Sequence, residues 1–461
     1  MTEVERLAEF VARASYDDLS AEARAQLKIR VLDSLGCALG ALDSPTVGHV
    51  RGYVDEFDGR GGCTLIAGGQ ASPDRATLYN GALVRYLDFN DSYLASGETC
   101  HPSDNVAPTL AAAEYAGCHG RDFLVALAVA YQVQCRLSDL APVRAAGFDH
   151  TTQGSFAVAA AVSRALGLDA AHAAHALAIS GTAFNALRVT RTGQLSNWKG
   201  LAYPNTAACC TQATLLARNG ITGPLEVFEG NKGFMDAIAG QFSIDWLRED
   251  LERVTHTILK RHNAEVHSQT AIEAVLHLRA SHRVEPGDVQ AVDIEIFDVA
   301  YQIIGGGQEG DKTLVCTKED ADHSLPYLVA VALIDGRVMP PQYAESRIQQ
   351  ADVQHLLCHV TVRPSTRYSA RFPKAMPCQV TITLRDGRRF VREVDSYPGF
   401  LDQPMSWDMV RDKFDALAAP FTSTAERRTI VDAVAALDSI PVRELTHNLA
   451  ALRYHAREPI A

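Results

Sequence analysis

Residues 88–116 read DFNDSYLASGETCHPSDNVAPTLAAAEYA, and this stretch joins a dense polar cluster to a run of small apolar residues. Its two polar strings, Asp88–Ser92 and His101–Asn105, gather three carboxylates, a histidine, two serines and two carboxamides. The run Val106–Ala116 predicts a helix capped by one of three side chains, those of Ser103, Asp104 or Asn105. Free N–H groups and the dipole at a helix start favour an anion. The stretch therefore predicts acid/base chemistry on a substrate that carries a carboxylate.

The length and charge of the chain limit its class. It has 461 residues of which 47% are hydrophobic, enough for two or three domains with a large core. Neither a bilayer-spanning apolar run nor a signal-peptide core is found, so we expect a cytoplasmic protein. The net charge of −12 argues against nucleic acid or a membrane surface as a partner. An anionic substrate then requires local positive charge at the site.

The ten cysteines show no metal-binding spacing. None of them forms a Cys-x-x-Cys pair, which argues against a zinc site or an iron–sulfur cluster. We expect free, buried thiols.

Hydrophobic periodicity predicts an almost wholly helical chain up to about residue 265. A helix that begins after Ser20 places Leu27, Val31 and Leu35 on one stripe. Further helices are predicted at residues 121–137, 154–166, 170–180 and 206–218.

The pattern changes near residue 268. Val292, Ile294 and Ile296 alternate with acidic residues, as in a half-buried strand. Further strands are predicted at residues 359–363, 379–384 and 389–394, with a hairpin turn at Asp386-Gly387 and helices at 268–280 and 324–335. From Trp407 onward the pattern is helical again. The fold class predicted is mostly α with an inserted smaller α/β (α+β) domain. Its domains are residues 1–267, to which 399–461 return, and residues 268–398.

Four further polar positions lie in apolar or glycine-rich surroundings. His150, Lys199, the triplet Lys260-Arg261-His262 and Tyr301 are candidates for proton transfer or anion binding. Each also has a structural explanation. His150 fits a helix cap or a core histidine, Lys199 a surface lysine, the triplet a solvated turn, and Tyr301 a strand end.

These residues and several longer strings resemble the MmgE/PrpD family over nearly the whole chain. The matching strings are Asp88–Asp91, His101–Asn105, Trp198–Gly200, Ile221–Pro224, Ile258–Gln269 and Asp322–Tyr327. The resemblance implies a helical domain built from both chain ends, a smaller α/β lid domain between them, and a homodimer.

The resemblance also implies a set of site residues, with no metal and no organic cofactor. The catalytic positions implied are Asp88, His101, His150, Lys199, Lys260 and Tyr301. The substrate-binding positions are Ser92, Ser103, Asn105, Arg261 and His267. Ser92 stands where the decarboxylases of the family have threonine, and the segment after Asp91 is longer here than in those enzymes.

The activity implied is a hydro-lyase that removes water from 2-methylcitrate, and also from citrate, within a methylcitrate cycle of propionate catabolism. The intact His-Pro-Ser-Asp-Asn string favours dehydration. Decarboxylation of cis-aconitate and epimerisation of a dicarboxylate of the iminodisuccinate type stay open on the same scaffold. Two classes without turnover are a tricarboxylate-binding protein and a purely structural helical scaffold.

A mechanism follows as a hypothesis. Lys199 and Lys260 would pair with substrate carboxylates and stabilise the enolate-like charge, helped by the helix start after Asn105. His101 or His150 would take the proton, because histidine titrates near neutral pH. Asp88 would orient a histidine or lysine, and Tyr301 or the second histidine would protonate the leaving hydroxyl. The residues alone do not assign base and acid to particular histidines.

Overall fold

A computed structural model describes residues 1–57, 61–193 and 195–452. The chain divides into two compact units. The first unit comprises Met1–Thr190, Gly200–Thr257 and Ser406–Ala461, and the second comprises Arg191–Lys199 and Ile258–Met405. The final residues 453–461 of the predicted returning segment lie outside the described residues.

The described residues are mostly helical, with one small mixed sheet, so the predicted fold class is confirmed. In chain order the helices are α1 Glu3–Arg13, α2 Ala21–Gly40, α3 Pro45–Asp55, α4 Pro73–Tyr86, α5 Val106–Ala116, α6 Gly120–Leu140, α7 Thr151–Ala165, α8 Ala170–Ala183, α9 Trp198–Arg218, α10 Gln269–His282, α11 Asp298–Ile304, α12 Lys318–Ala321, α13 Leu325–Asp335, α14 Glu345–Ile348, α15 Ala351–Leu357, α16 Thr366–Ser369, α17 Trp407–Ala418, α18 Thr424–Ala435 and α19 Val442–Ala450. The strands are β1 Cys63–Thr64, β2 Gln70–Ala71, β3 Tyr93–Leu94, β4 Thr99–Cys100, β5 Val289–Ile296, β6 Val360–Pro364, β7 Cys378–Leu384 and β8 Arg389–Val394.

Helix α2 forms a central part of the first unit. It begins after Ser20 as predicted, and the Ser20 hydroxyl accepts the Ala23 amide at 3.0 Å as its cap. Almost every residue from Ile29 onward is buried, and α17 packs against this helix. A Cβ atom at Gly36 would lie 3.1 Å from the Phe414 Cα, so glycine permits this close approach.

The prediction of an almost wholly helical chain up to residue 265 is wrong for residues 219–257. This stretch forms turns, among them a π-helical turn at Met235–Ala239 and a 3₁₀ turn at Arg253–His256. Glycine and proline interrupt the helical pattern here. Aromatic packing stabilises the turns in place of helical hydrogen bonds. The rings of Phe228 and Phe156, for example, stack with centroids 4.6 Å apart.

The second unit contains a four-stranded mixed sheet in the order β6-β5-β7-β8. Strand β5 pairs in parallel with β6 and antiparallel with β7, and β7 pairs antiparallel with β8. Val292, Ile294 and Ile296 are buried, as their alternation predicts. Gly387, with a φ of 87°, allows the predicted turn between β7 and β8.

The limits of the units differ from the predicted domain boundaries at residues 267 and 398. Ile258–Met405 belongs to the second unit, as does the separate segment Arg191–Lys199. Residues 258–268 show no hydrophobic periodicity that would assign them to a domain. Backbone hydrogen bonds join them to the second unit. The Leu259 amide donates to the Gly399 carbonyl at 2.9 Å, a contact between positions far apart in the sequence.

Among the described helices, none has the length and apolarity that crossing a membrane requires.

Candidate active site

A short hairpin brings Ser92 to His101. Strands β3 and β4 pair antiparallel, with Tyr93 opposite Cys100 and Leu94 opposite Thr99. The residues flanking this ladder therefore face each other, and the Ser92 Oγ lies 3.1 Å from the His101 Nδ1. The long segment after Asp91 thus forms the turn that joins two site residues.

The surroundings of His101 fix its tautomer. Its Nδ1 atom lies 2.8 Å from the backbone carbonyl of Asp91. Because a carbonyl only accepts hydrogen bonds, Nδ1 carries a proton in this contact, and in the neutral ring Nε2 carries the lone pair. His101 is buried, and in this tautomer Nε2 is the basic nitrogen of its ring.

The predicted anion site at the start of α5 is filled by the protein itself. The Asp91 carboxylate accepts the Ser103 amide at 2.9 Å and the Ser103 hydroxyl at 2.6 Å, and the Tyr131 hydroxyl also donates to it, at 2.8 Å. Burial raises the pKa of Asp91, while Arg30, 4.0 Å away, and the hydrogen bonds act in the opposite direction. Asn105, one of the three residues predicted as the cap, stands at the N-cap of α5, but its side chain makes no cap bond. A 3₁₀ turn over Pro102–Asn105 precedes α5, and the side chains of this turn bond to other parts of the chain.

Asp88 follows the end of α4 in an uncommon backbone conformation. Its φ is 52°, a left-handed value that aspartate tolerates better than most residues. Arg85, one turn earlier, donates to the Asp88 carboxylate at 2.6 Å, and both side chains are buried. The Arg85 Nε also lies 3.7 Å from the Asp104 carboxylate. One guanidinium thus links Asp88 to Asp104 of the second polar string.

His150 lies between two carboxylates. Its Nδ1 is 3.1 Å from Asp149, and its Nε2 is 3.9 Å from Asp104. It stands at the N-cap of α7, but its side chain makes no cap bond. Its ring meets that of His101 edge to face, with centroids 5.3 Å apart. The structure therefore brings both predicted histidines of the first unit together.

Asn105 binds Tyr203, whose ring packs beside His150. Its amide group donates to Gln134 at 2.7 Å, and its carbonyl accepts the Tyr203 hydroxyl at 3.0 Å. The Tyr203 ring stacks beside His150 at a centroid distance of 6.0 Å. A Cβ atom at Gly154 would lie 2.4 Å from the Tyr203 ring, so only glycine leaves room for it.

Lys199 belongs to a buried charged group in the second unit. Its ammonium donates to Asp322 at 2.6 Å and lies 2.9 Å from the His323 Nδ1. Lys318 donates to the other Asp322 oxygen, also at 2.6 Å. Lys199 is 4% exposed, so the explanation as a surface lysine is wrong.

The Asp322 carboxylate is the anion of this group. Burial would raise the pKa of Asp322. The charges of Lys199, Lys318 and His323 outweigh burial and hold that pKa well below its usual range. Asp322 therefore stays ionised throughout the physiological pH range.

Lys260 and His267 lie in a second buried group of the same unit. Lys260 is 0% exposed, which excludes the solvated-turn explanation for this residue. The His267 Nδ1 lies 2.7 Å from the Glu265 carboxylate, and its ring contacts Phe297 and Phe372. Burial would raise the pKa of Glu265, but the nearby side chains of His267, His323 and Lys260 lower it. The Glu265 amide donates to the Asp322 carbonyl at 3.2 Å, which connects the two groups.

Arg261 and Tyr301 have different surroundings from these groups. The Arg261 side chain is 46% exposed and pairs with Glu273 at 3.2 Å. Tyr301 lies in helix α11, so the explanation as a strand end is wrong. Its ring is half-buried, and no described residue hydrogen-bonds to its hydroxyl. The Tyr301 hydroxyl therefore donates its proton to no described residue.

Several residues of these groups were not named from the sequence as site residues. They are Arg85, Asp104, Asp149, Glu265, Lys318, Asp322 and His323. Asp104 and Asp149 adjoin predicted residues, and Asp322-His323 lies in a string that matches the family. Only the tertiary structure brings Asp104 and His150 together, whereas the other pairs lie within four positions of each other in the sequence.

Comparison with known proteins gives matches over nearly the whole chain. The MmgE/PrpD N-terminal domain matches residues 5–247, and the MmgE/PrpD C-terminal domain matches residues 262–439. The 2-methylcitrate dehydratase of Escherichia coli (strain K12) is 26% identical over 400 residues, which cover 80% of each chain. The 2-methylcitrate dehydratase of Cupriavidus necator is 27% identical over 401 residues, again 80% of each chain. The cis-aconitate decarboxylase of Homo sapiens is 26% identical over 444 residues, 90% of this chain and 87% of that one. These names are those of lyases, and the predicted resemblance and enzyme class are confirmed.

Proposed function

The chain belongs to the MmgE/PrpD family, and we propose that it is a hydro-lyase that converts 2-methylcitrate to 2-methyl-cis-aconitate. Citrate is a second substrate in this proposal, with cis-aconitate as its product. Two relatives named 2-methylcitrate dehydratase support the assignment, as does the intact His101–Asn105 string. The proposal needs neither a metal nor an organic cofactor.

The observation that carries the proposal is the buried pair of histidines with different neighbours. The His101 Nδ1 faces a carbonyl, whereas both nitrogens of His150 have a carboxylate within 4 Å. Elimination of water needs one group that takes a proton and another that gives one. Two neighbouring imidazoles in unlike surroundings suit that division.

His101 is the base. Its Nε2 takes the proton from the carbon alpha to a substrate carboxylate, while Nδ1 keeps its hydrogen bond to the Asp91 carbonyl, 2.8 Å away. The electron pair of the broken C–H bond first forms an enolate-like anion and then the double bond.

His150 is the acid. Asp149 and Asp104 compensate the positive charge of its protonated ring. As the C–O bond breaks, His150 gives its proton to the hydroxyl, which leaves as water. Asp88 keeps Arg85 next to Asp104 and so holds this side of the site in place.

Lys199 and Lys260 bind carboxylates of the substrate, as the family resemblance implies. Asp91 accepts the Ser103 amide in the turn before α5, so anion binding depends on these lysines. Both are buried cations, for which an ion pair with a carboxylate is strong. Tyr301 is a second candidate for the acid.

The other predicted site residues have supporting or binding roles in this proposal. Ser92 supports His101, and Ser103 and Asn105 support the site from behind. Arg261 and His267 stay proposed substrate contacts. The homodimer, the cytoplasmic location and the place in propionate catabolism also stay predictions.

Product analysis tests this function. Purified, chelator-treated protein is supplied separately with 2-methylcitrate, citrate and cis-aconitate, and ultraviolet absorbance and mass spectrometry are recorded. We expect an unsaturated tricarboxylate from 2-methylcitrate, with a rate that the chelator does not change. Carbon dioxide and itaconate from cis-aconitate, without dehydration, would instead assign the decarboxylase reaction, which the 90% coverage by the human relative makes the second candidate. Tight tricarboxylate binding without turnover would support a binding protein.

A further inference from the structure

We propose that Lys413 is a positioning residue, which holds the backbone of residues 88–92 in the conformation that the acid/base site requires. It lies on α17, near the C-terminal end of the chain and far in sequence from the polar strings. The inference rests on the proposed function, because it concerns the geometry of the same histidine site.

Lys413 contacts the segment through its ammonium group. The Nζ donates to the Phe89 carbonyl at 2.8 Å and lies 3.7 Å from the centroid of the Phe89 ring. Phe89 is 0% exposed and Lys413 is 8% exposed, so both contacts are shielded from water. A charged donor on a backbone carbonyl restricts the peptide that follows it, the one between Phe89 and Asn90.

The segment that Lys413 contacts contains several site residues. Asp88, which precedes Phe89, has the left-handed φ of 52°, and such a backbone persists only where its surroundings enforce it. Asn90, which follows, donates to Ser103 at 2.9 Å and to Asp104 at 2.8 Å. The carbonyl of the next residue, Asp91, fixes the tautomer of His101. A shift of the peptide after Phe89 would therefore disturb both sides of the histidine pair.

Helix α2 holds Lys413 in place. The Asp33 carboxylate pairs with the Lys413 ammonium at 2.7 Å, and the Asp33 side chain is 1% exposed. The close packing of α2 and α17 at Gly36 brings these two residues together. One turn before Asp33, Arg30 lies 4.0 Å from the Asp91 carboxylate. The segment is thus held from α17 through Lys413 and from α2 through Arg30.

A purely structural ion pair is the alternative explanation, and a double substitution separates the two. Lys413→Met alone leaves the Asp33 charge buried without its partner, which destabilises any fold. Lys413→Met with Asp33→Leu removes both charges, and such apolar replacements of a buried pair are often neutral for stability. The Phe89 carbonyl nevertheless loses its donor.

Steady-state kinetics of the double variant are the test, with melting temperature recorded alongside. We expect kcat to fall about tenfold to a hundredfold, since small displacements in an active site have effects of this size. We expect KM to change less than about threefold, because the carboxylate-binding lysines are untouched, and a melting temperature near that of the wild type. A double variant with the wild-type kcat would overturn the proposal.

Lys28→Met is the matched control. Lys28 lies on α2, donates to the Ala435 carbonyl at 2.8 Å and pairs with Asp438 at 2.8 Å. It therefore makes the same two kinds of contact without reaching residues 88–92, and its kcat should stay at the wild-type value.

Hydrogen exchange makes the test independent of activity. If the wild type turns over none of the three carboxylates, the proposed function fails, and exchange of peptides that cover residues 84–94 still decides the role of Lys413. Faster exchange in the double variant than in Lys28→Met supports positioning. Equal exchange overturns it.

Discussion

Asp322→Asn is expected to destabilise the second unit strongly. The carboxylate is fully buried and compensates three groups at once, with Lys199 and Lys318 at 2.6 Å and His323 at 2.7 Å. Asparagine keeps the shape but leaves buried ammonium groups without an anion. Breaking a buried pair in this way costs about 3–5 kcal/mol.

The pH dependence of this loss has a definite sign. The pKa of Asp322 is held well below its unfolded value of 3.8, so its stabilising contribution is fully present above that value. The contribution is lost only as the pH falls through the depressed folded pKa. The difference between wild type and variant should therefore be constant from about pH 5 to pH 8 and shrink only in strong acid.

Native-state hydrogen exchange in helix α13, which begins three residues after Asp322, measures this difference locally. A loss of about 3 kcal/mol corresponds to at least a hundredfold loss of protection. Asp352→Asn is the control in the same unit, because Asp352 pairs with Arg347 at 2.9 Å but keeps 50% of its side chain exposed. Its loss should be about 1 kcal/mol or less. If Asp322→Asn loses less protection, relative to the wild type, than the control variant loses, Asp322 does not stabilise the second unit in this way.

Three further experiments each probe one side chain or one pair of cysteines. Lys199→Met should weaken tricarboxylate binding at least about tenfold by titration calorimetry, because a charged hydrogen bond is lost; unchanged binding and turnover would contradict its role. Ser92→Ala removes the hydroxyl 3.1 Å from the His101 ring and should lower kcat by about tenfold at most, whereas a total loss of kcat would indicate that Ser92 reacts directly. Iodoacetamide at pH 8 should modify exposed Cys316 well before buried Cys63, whose pKa burial raises to about 12, as peptide mass spectrometry can check; equal rates would mean that Cys63 is accessible.

Periodic segments could be predicted from the sequence because their cores depend on local spacing. The run 106–116 forms α5 with the predicted bounds, and the alternating residues from Val292 form β5. The turn at Asp386-Gly387 also lies where predicted. In each case the buried face or the turn residue specifies the element by itself.

The parts that could not be predicted depend on contacts between distant residues. The hairpin β3–β4 has strands of two residues each, too short for any period, yet it sets the contact between Ser92 and His101. Lys199 and Asp322 are 123 positions apart. The polar strings predicted candidate site residues, but a partner as distant in the sequence as Asp322 is from Lys199 follows only from the folded chain.

The cap of α5 shows a related limit. Serine is a common helix cap and Ser103 lies just before α5, but its hydroxyl donates to Asp91, 12 residues earlier. The helix start is thus neutralised by a carboxylate of the protein itself. Local rules for helix capping do not include this competition from a buried tertiary partner.

Deuterium exchange measures most directly whether His101 and His150 divide the roles of base and acid. His101→Gln and His150→Gln are incubated with the substrate identified by product analysis in D₂O, and both exchange of the alpha hydrogen and loss of water are followed. If His101 is the base and His150 the acid, His150→Gln still exchanges the hydrogen while elimination falls about a hundredfold or more, and His101→Gln loses both reactions. Continued exchange in His101→Gln would contradict this division, because another group would then be the base.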